Sequence, residues 1–189
     1  ILIAIFAPLI APYDPYEVLI GKEPVKMRQS PCIHFLGCHP DQPQHIMGID
    51  GNVRDQFSRL LYGARLSLMV GMSTVSFAIV IGTFLGALAG YMGKWVDNVI
   101  MRAMDVLLAF PSLLLAIAIV SILGPGLINA LLSIAIVSIP AYARVVRSTV
   151  LTVREMEFVE ASRSLGGSTF YILFSRILPN SLTPLIVQG

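Results

Sequence analysis

Charged residues are scarce in this chain of 189 amino acids. Asp, Glu, Lys and Arg make up 13% of the sequence, and the formal net charge is only +2. Globular proteins hold about 25% charged residues, and a disordered chain or a coiled coil needs more charge than this one has. Two cysteines exclude a disulfide-dense secreted scaffold, and the 15 glycines follow no collagen-like period. The small, evenly spread net charge argues against a nucleic-acid partner.

The chain is rich in hydrophobic residues. Hydrophobic residues make up 56% of the chain, and the mean hydropathy is +0.79. A protein this apolar cannot cover its surface with polar groups, so lipid is its expected solvent. Residues 66–93 contain no Asp, Glu, Lys, Arg or His, and about 20 apolar residues are enough for a helix to cross a bilayer. This run is therefore predicted to form one complete membrane span.

A second long uncharged run is interrupted by Pro125, which lies between two glycines. Proline lacks a backbone N–H and glycine frees the backbone, so the run is predicted to form two helices, at about 99–123 and 127–147. Each helix contains a proline, Pro111 and Pro140, and each is expected to kink there.

The ends of the chain predict two further spans that are cut short. Residues 1–11 are uncharged and resemble the end of a membrane span. They are not a signal peptide, because they lack its basic segment and its cleavage site. Residues 181–189 begin another apolar segment. The chain is therefore expected to be a fragment with three whole spans and part of one at each end.

Small residues in the first whole span predict close helix packing. Gly82, Gly86 and Gly90 are four residues apart and share one helix face. Such a face lets another helix approach closely, although glycine is also generally common in membrane helices.

Arginines suggest the sidedness of the loops. Five of them follow the third whole span, which favours a cytoplasmic position for residues 144–178: Arg144, Arg147, Arg154, Arg163 and Arg176. Three other arginines would then lie on the outer side, against the usual rule: Arg54, Arg59 and Arg65.

The segment after the third span predicts two short helices joined at glycines. Apolar or small residues in the first half follow helical spacing: Phe158, Ala161, Ser162 and Leu165. Gly166 and Gly167 are expected to end this helix, and Ser168 to cap the next one. The second half repeats the spacing, with Phe170, Leu173, Phe174 and Ile177, and Pro179 is expected to end it or start the following span. The apolar ridge would pack on the protein's own helix ends or enter a groove on another subunit.

These residues resemble the "EAA" loop of permease subunits in binding-protein-dependent ABC importers. The matching residues are Glu160, Ala161, Ser162, Leu165, Gly166, Ile177, Leu178 and Pro179. Ser162 replaces the second alanine of the motif, and Arg176 takes a position that is usually aliphatic.

Other segments resemble the dipeptide, oligopeptide and nickel branch of that family. They are residues 11–15 (APYDP), 58–65 (SRLLYGAR), 110–115 (FPSLLL) and 142–144 (YAR). Residues 48–55 depart from that branch's usual Gly-Thr-Asp-x-x-Gly-Arg-Asp, because Ile49 stands for threonine and Val53 for glycine.

The resemblance implies an all-α, polytopic membrane protein with the type I (MetI-like) ABC importer transmembrane domain. About five of six helices would be represented, two of them truncated. Residues 1–12 would end the first span and residues 13–65 would form an extracytoplasmic loop, with a short amphipathic helix near 53–62. Residues 66–189 would form the permease domain, with cytoplasmic coupling helices at 151–178.

The resemblance also implies a non-catalytic subunit of a bacterial or archaeal cytoplasmic membrane. Its partners would be a second permease subunit in a heterodimer, two ATPase subunits, an extracytoplasmic substrate-binding protein and membrane lipid. ATP and Mg²⁺ would bind the ATPase subunits, whose cleft would hold the helix that carries Glu160 and Gly166. The chain itself contains no GxxxxGK[ST] phosphate loop.

Two polar groups allow more than one interpretation. Arg102 and Asp105 would form a structural ion pair or line a translocation path. The outer loop carries four potential zinc ligands, Cys32, His34, Cys38 and His39. They would bind a metal ion, or Cys32 and Cys38 would form a disulfide, or neither would occur.

Three other functions compete with a peptide importer. A nickel importer permease would belong to the same branch. An ion-coupled secondary transporter needs acids at membrane depth, for which Asp105 is the single candidate. A membrane metalloenzyme would need a reactive site near the Cys and His residues.

Overall fold

A computed structural model describes residues 1–181, which divide into two compact units, Ile1–Gly71 and a second that begins at Met72. Residues 182–189 lie outside the described part, and with them most of the segment predicted to begin a last span. In the described residues the regular structure is helical, apart from isolated β-bridges such as Cys32 with His45. The fold class predicted from the sequence is confirmed.

The first unit begins with two single helical turns, α1 (Leu2–Ile5) and α2 (Ala7–Ile10). A loop follows, in which a 3₁₀ turn covers His34–Leu36. The loop folds around a small apolar core of buried residues, Leu19, Ile49 and Val53, with Tyr13 and Val25 packed against it. The loop therefore has a core of its own.

The longest helix, α3 (Gln56–Met92), begins in the first unit and continues into the second. It contains the span predicted at 66–93. The separate short helix predicted near 53–62 is absent, because residues from Gln56 onward are the first turns of α3. No glycine or proline breaks the chain between those turns and the apolar run, except Gly63, which a helix tolerates.

The span predicted at 99–123 is two helices, α4 (Lys94–Leu108) and α5 (Ser112–Leu123), with axes bent by 95°. A simple kink at Pro111 is therefore wrong. Proline disfavours helical backbone at the preceding residue and cannot donate an N–H, so the helix ends before it.

The next helix, α6 (Leu127–Val153), continues through Pro140 and beyond the predicted end at 147. Gly124 (φ +91°) and Gly126 (φ +148°) make the turn before it. Among the described residues, α3 and α6 are each long and apolar enough to cross a membrane, and the bent pair α4–α5 would be a third span.

Glycines of α3 bring its backbone against α6, as predicted. A Cβ at Gly82 would lie 2.7 Å from the Tyr142 Cβ, and one at Gly86 would lie 2.4 Å from the Ala143 carbonyl oxygen. At Gly90 it would lie 2.9 Å from a methyl group of Val150. Only glycine allows this separation, and the core of the second unit forms around it.

Short helices follow α6. They are α7 (Glu157–Ser164), α8 (Thr169–Tyr171), a π-helix (Ile172–Ile177) and α9 (Leu178–Ser181). The last three are continuous, so Pro179 does not end the helix. The glycine turn and the Ser168 cap lie where they were predicted, since Gly166 has φ +82° and the Ser168 hydroxyl accepts from the Tyr171 N–H.

Candidate functional site: the helix–glycine–helix surface

One face of the short helices packs on the protein itself. Val159 of α7 is fully buried, and so are Ile172, Leu173 and Ile177 of the π-helix. These side chains belong to the same apolar core as Val150 of α6. The helix pair is thus anchored on the membrane helices, which is the first of the two predicted arrangements.

The opposite face is apolar and uncovered. Leu165 is 89% exposed and Phe170 69% exposed, and the Phe170 and Phe174 rings stack with centroids 6.4 Å apart. Phe158 and Tyr171 are also exposed. The predicted ridge is therefore divided, because Leu173 and Ile177 point to the core while its other large residues face outward. An exposed apolar patch of this kind marks an interaction surface.

The turn between the helices is fixed by two backbone hydrogen bonds and two glycines. The Gly166 N–H donates to the Arg163 carbonyl and the Gly167 N–H to the Ser162 carbonyl, each at 3.0 Å. Gly166 needs its left-handed backbone, and a Cβ at Gly167 would lie 2.8 Å from the Ser162 carbonyl oxygen. Both glycines are required, for different reasons.

A polar hollow of about 270 Å³ lies beside α7, lined by Arg154, Glu155, Glu160, Arg163 and Ser164. The Arg154 Nη1 donates to the Gly90 carbonyl at 2.9 Å, and its Nε donates to Glu155 at 2.8 Å. Arg154 thus ties the start of the short helices to the end of α3. Sequence reasoning used this arginine only for sidedness, and no spacing signal identified its partner.

Two ion pairs join α4 to α6. Arg147 binds both carboxylate oxygens of Asp97, with Nη2 2.6 Å from Oδ2. Arg144 Nη2 lies 2.6 Å from Asp105 Oδ1. Pairing of Asp105 with Arg102 is therefore wrong, because α6 brings a better placed guanidinium. Arg102 instead lines a shallow hollow beside the exposed Trp95.

The potential metal ligands of the outer loop do not converge. Cys32 and Cys38 form a disulfide with Cα atoms 5.3 Å apart, so neither offers a thiolate. His34 Nε2 lies 2.8 Å from the Gln42 carbonyl oxygen, and His39 pairs with Asp41 at 3.2 Å. Within residues 1–181, no group of three or more Cys, His, Asp or Glu side chains is arranged for a metal.

A buried histidine in this loop was missed by sequence reasoning. His45 Nδ1 lies 2.9 Å from Asp55 Oδ1, and Nε2 lies 3.2 Å from Glu23 Oε2. Each ring nitrogen of His45 thus faces one carboxylate. The Tyr13 ring stacks on the imidazole, and burial, helped by Glu23, raises the Tyr13 pKa. No spacing rule brings Glu23 to His45, so the sequence held no usable signal.

At residues 48–55, the valine that departs from the family pattern has a glycine-like backbone. Val53 stands where glycine is usual and has φ +55°, a left-handed conformation that is strained for a β-branched residue. Its side chain is 2% exposed in the small apolar core, which offsets the strain. Burial opposes ionisation of Asp50, but N–H groups of Arg54 and Asn52 and the charges of Arg59 and Arg54 lower its pKa.

Comparisons with known proteins agree on one family. The model of the inner membrane component of binding-protein-dependent transport systems matches residues 82–188. The chain is similar to the dipeptide transport system permease protein DppC of Alkalihalophilus pseudofirmus, at 49% identity over all of this chain and 58% of that protein. It is 46% identical to the di/tripeptide transport system permease protein DppC of Pseudomonas aeruginosa, over 98% of this chain and 59% of that protein.

A third relative is the glutathione transport system permease protein GsiD of Escherichia coli, at 43% identity over 99% of this chain and 57% of that protein. The chain thus spans under three fifths of the length of each of these relatives.

Proposed function

Because this chain belongs to the family of inner-membrane components of binding-protein-dependent transport systems, we propose that it is the permease subunit of an ATP-driven importer of di- or oligopeptides. The substrate class is supported by relatives named for dipeptides, di/tripeptides and glutathione. The subunit itself performs no catalysis. ATP and Mg²⁺ bind two partner ATPase subunits, a second permease completes the translocation path, and an extracytoplasmic binding protein delivers the peptide.

The observation that carries this proposal is the two-faced helix pair after α6. Its inner face is fixed to the membrane helices by Val159 and Ile172, while Leu165 and Phe170 are exposed on the outer face. An element fixed on one side and apolar on the other transmits displacement from a docked partner. Glu160, Ala161 and Gly166, which resemble the EAA motif, lie at this element and support its role in ATPase coupling.

Transport then follows from two states of the helix bundle. When the ATPase subunits close, they move α7, and Arg154 passes that displacement to the end of α3 through the Gly90 carbonyl. The closely packed α3 and α6 move as a unit because their backbones touch at the glycines. The partner's contacts must differ between the inward-open and outward-open states, since equal contacts shift no equilibrium.

We place residues 13–65 outside the cytoplasmic membrane and residues 144–178 inside. The Cys32–Cys38 disulfide supports the first position, because such bonds persist in oxidising compartments. The five arginines assigned to the end of the third whole span support the second. Together the two positions require the bent pair α4–α5 to cross the membrane.

The decisive experiment changes Gly166 within the complete transporter, assembled with its partners in proteoliposomes. Gly166→Val forces a β-branched residue to φ +82°, whereas Gly166→Asn tolerates that backbone. We expect Val to reduce ATP-dependent uptake of a labelled dipeptide at least tenfold and Asn to retain most of it. Equal uptake by both variants would contradict a coupling role.

The same assay separates the competing functions. Uptake driven by an ion gradient without ATP would favour a secondary transporter, although the pairing of Asp105 with Arg144 leaves that alternative no free acid at Asp105. ATP-dependent uptake of ⁶³Ni²⁺ but not of dipeptides would identify a nickel importer.

A further inference from the structure

The first unit contains an arginine-lined pocket to which the transport function assigns no role. It has a volume of about 380 Å³ and lies at the beginning of α3. Its polar walls are Arg54, Arg59, Arg65 and Tyr62, and its apolar wall includes Leu66 and Met69. These are the three arginines whose position on the outer side opposes the usual charge rule for membrane proteins.

The charges of the pocket are incompletely balanced. Arg54 and Arg59 share the single carboxylate of Asp50, and within residues 1–181 no ion pair is formed by Arg65. The Arg54 Nε is buried without a hydrogen-bond partner and lies 3.4 Å from Asp50 Oδ2. The described lining contains no carboxylate. Three guanidinium groups against one carboxylate leave an excess of positive charge beside a buried, unsatisfied donor.

The apolar wall identifies the class of anion. Leu66 is 50% exposed and Met69 68% exposed, and both belong to the helix that enters the membrane. A free inorganic anion makes no favourable contact with an apolar surface. A phospholipid, in contrast, places its phosphate against arginine and its acyl chain along the helix. Tyr62 also lines the pocket, and amphipathic aromatic rings are favoured at the membrane interface.

We propose that this pocket binds the phosphodiester headgroup of an anionic phospholipid. The arginines bind the phosphate and keep the beginning of α3 at the membrane surface, which explains why positive charge is found on this side. The inference requires that α3 lies in a membrane but not that the chain transports peptides.

Native mass spectrometry of the delipidated full-length protein in detergent tests the proposal. Phosphatidylglycerol and phosphatidylcholine with the same acyl chains are titrated against each other. We expect a preference of at least fivefold for phosphatidylglycerol. Arg65→Gln should reduce that preference about fivefold, since a basic residue near the membrane surface contributes that factor, and Arg59→Gln with Arg65→Gln should abolish it.

The matched control is Lys26→Gln, which removes one positive charge from the same unit outside the pocket and should leave the preference unchanged. Cooperative thermal unfolding with a midpoint close to that of the wild-type protein reports that each variant has folded. Equal binding of the two lipids, or an undiminished preference in the folded double variant, would overturn the proposal.

Two competing anions distinguish a lipid site from a site for other anions. Millimolar inorganic phosphate that displaced phosphatidylglycerol completely would show a site for free anions, and the proposal of a lipid site would be wrong. A second competitor is soluble polyglutamate. The lipid proposal would be wrong if polyglutamate bound the wild-type protein but not the Arg65→Gln variant, and the protein showed no preference for phosphatidylglycerol. The pocket would then dock an acidic protein.

Discussion

At the scale of single residues, the outer loop depends on a buried charge cluster. The Asp55 side chain is fully buried, and its charge is compensated by His45 and by the Ser58 N–H at 2.7 Å. A buried carboxylate that loses its partner is strongly destabilising, because neither water nor protein compensates it. The loop is thus held by polar contacts as much as by its small apolar core.

We expect His45→Leu to destabilise the loop by about 3–5 kcal/mol, since Leu fills the space but leaves the charge of Asp55 uncompensated. Hydrogen exchange of residues 49–58 in the reconstituted protein measures this as faster exchange. His39→Leu is the control, because His39 is exposed and pairs only with the exposed Asp41. Similar exchange in both variants would show that the cluster does not stabilise the loop.

Asp50 makes the same loop sensitive to acid. Its pKa is lower in the folded protein than the ordinary 3.8. The stability it contributes is therefore present above about pH 4 and lost as pH falls through the folded pKa. We expect Asp50→Asn to cost about 1–2 kcal/mol at pH 7 and to reduce the pH dependence of hydrogen exchange at residues 50–54 below pH 4. An unchanged pH profile would be evidence against these contacts.

At the scale of elements, the glycine face of α3 sets the distance to α6. A Cβ at Gly86 would lie 2.9 Å from the Val146 Cβ and closer still to backbone, so the helices must separate to accept one. Gly71 lies on the same helix, and within residues 1–181 no atom beyond its own helical turns lies within 4 Å of such a Cβ. The two glycines have opposite requirements, in agreement with the four-residue spacing, which includes Gly86 but not Gly71.

We expect Gly86→Ala to destabilise the protein by about 1–3 kcal/mol, the usual cost of overpacking. Gly71→Ala should be neutral or stabilise it by up to about 1 kcal/mol through helix propensity. Thermal unfolding of both variants in the same detergent checks this. A loss of stability for Gly71→Ala equal to that for Gly86→Ala would refute the close approach.

The exposed face of the short helices leads to a prediction about partner binding. We expect Phe170→Ala to weaken ATPase association about tenfold, because exposed aromatic residues at the centre of a patch dominate interfaces. Co-purification with the tagged ATPase subunits measures it. Phe35→Ala, which removes a 95% exposed ring from the outer loop, serves as the control and should change nothing. Full ATPase recovery with Phe170→Ala would place the docking surface elsewhere.

At the scale of the whole molecule, the sidedness proposed for the loops depends on whether α4–α5 crosses the membrane. We expect Leu165→Cys to react with a membrane-impermeant maleimide only in inside-out vesicles, and Asn52→Cys only in right-side-out vesicles. The native cysteines do not interfere, because they are joined to each other. Labelling of both positions from one side would mean that the bent pair re-enters without crossing.

Three features could be predicted from the amino-acid sequence alone: the membrane class, the glycine face of α3 and the helix–glycine–helix segment. These features are local: an uncharged run, a spacing of four residues and a left-handed glycine each act within a few turns of the chain. The resemblance to the permease family rests on the same local segments, and the family comparison confirms it.

Contacts between residues far apart in the chain could be identified only from the folded structure. Asp105 pairs with Arg144, His45 lies between Glu23 and Asp55, and the apolar ridge divides into a buried and an exposed face. Pro111 ends α4 locally, but the sequence does not give the 95° angle between α4 and α5. The spacing of hydrophobic residues predicts that a helix face is apolar, but it does not identify the surface that covers this face. A charged residue likewise needs a partner, but the sequence does not identify the residue that the fold brings to it.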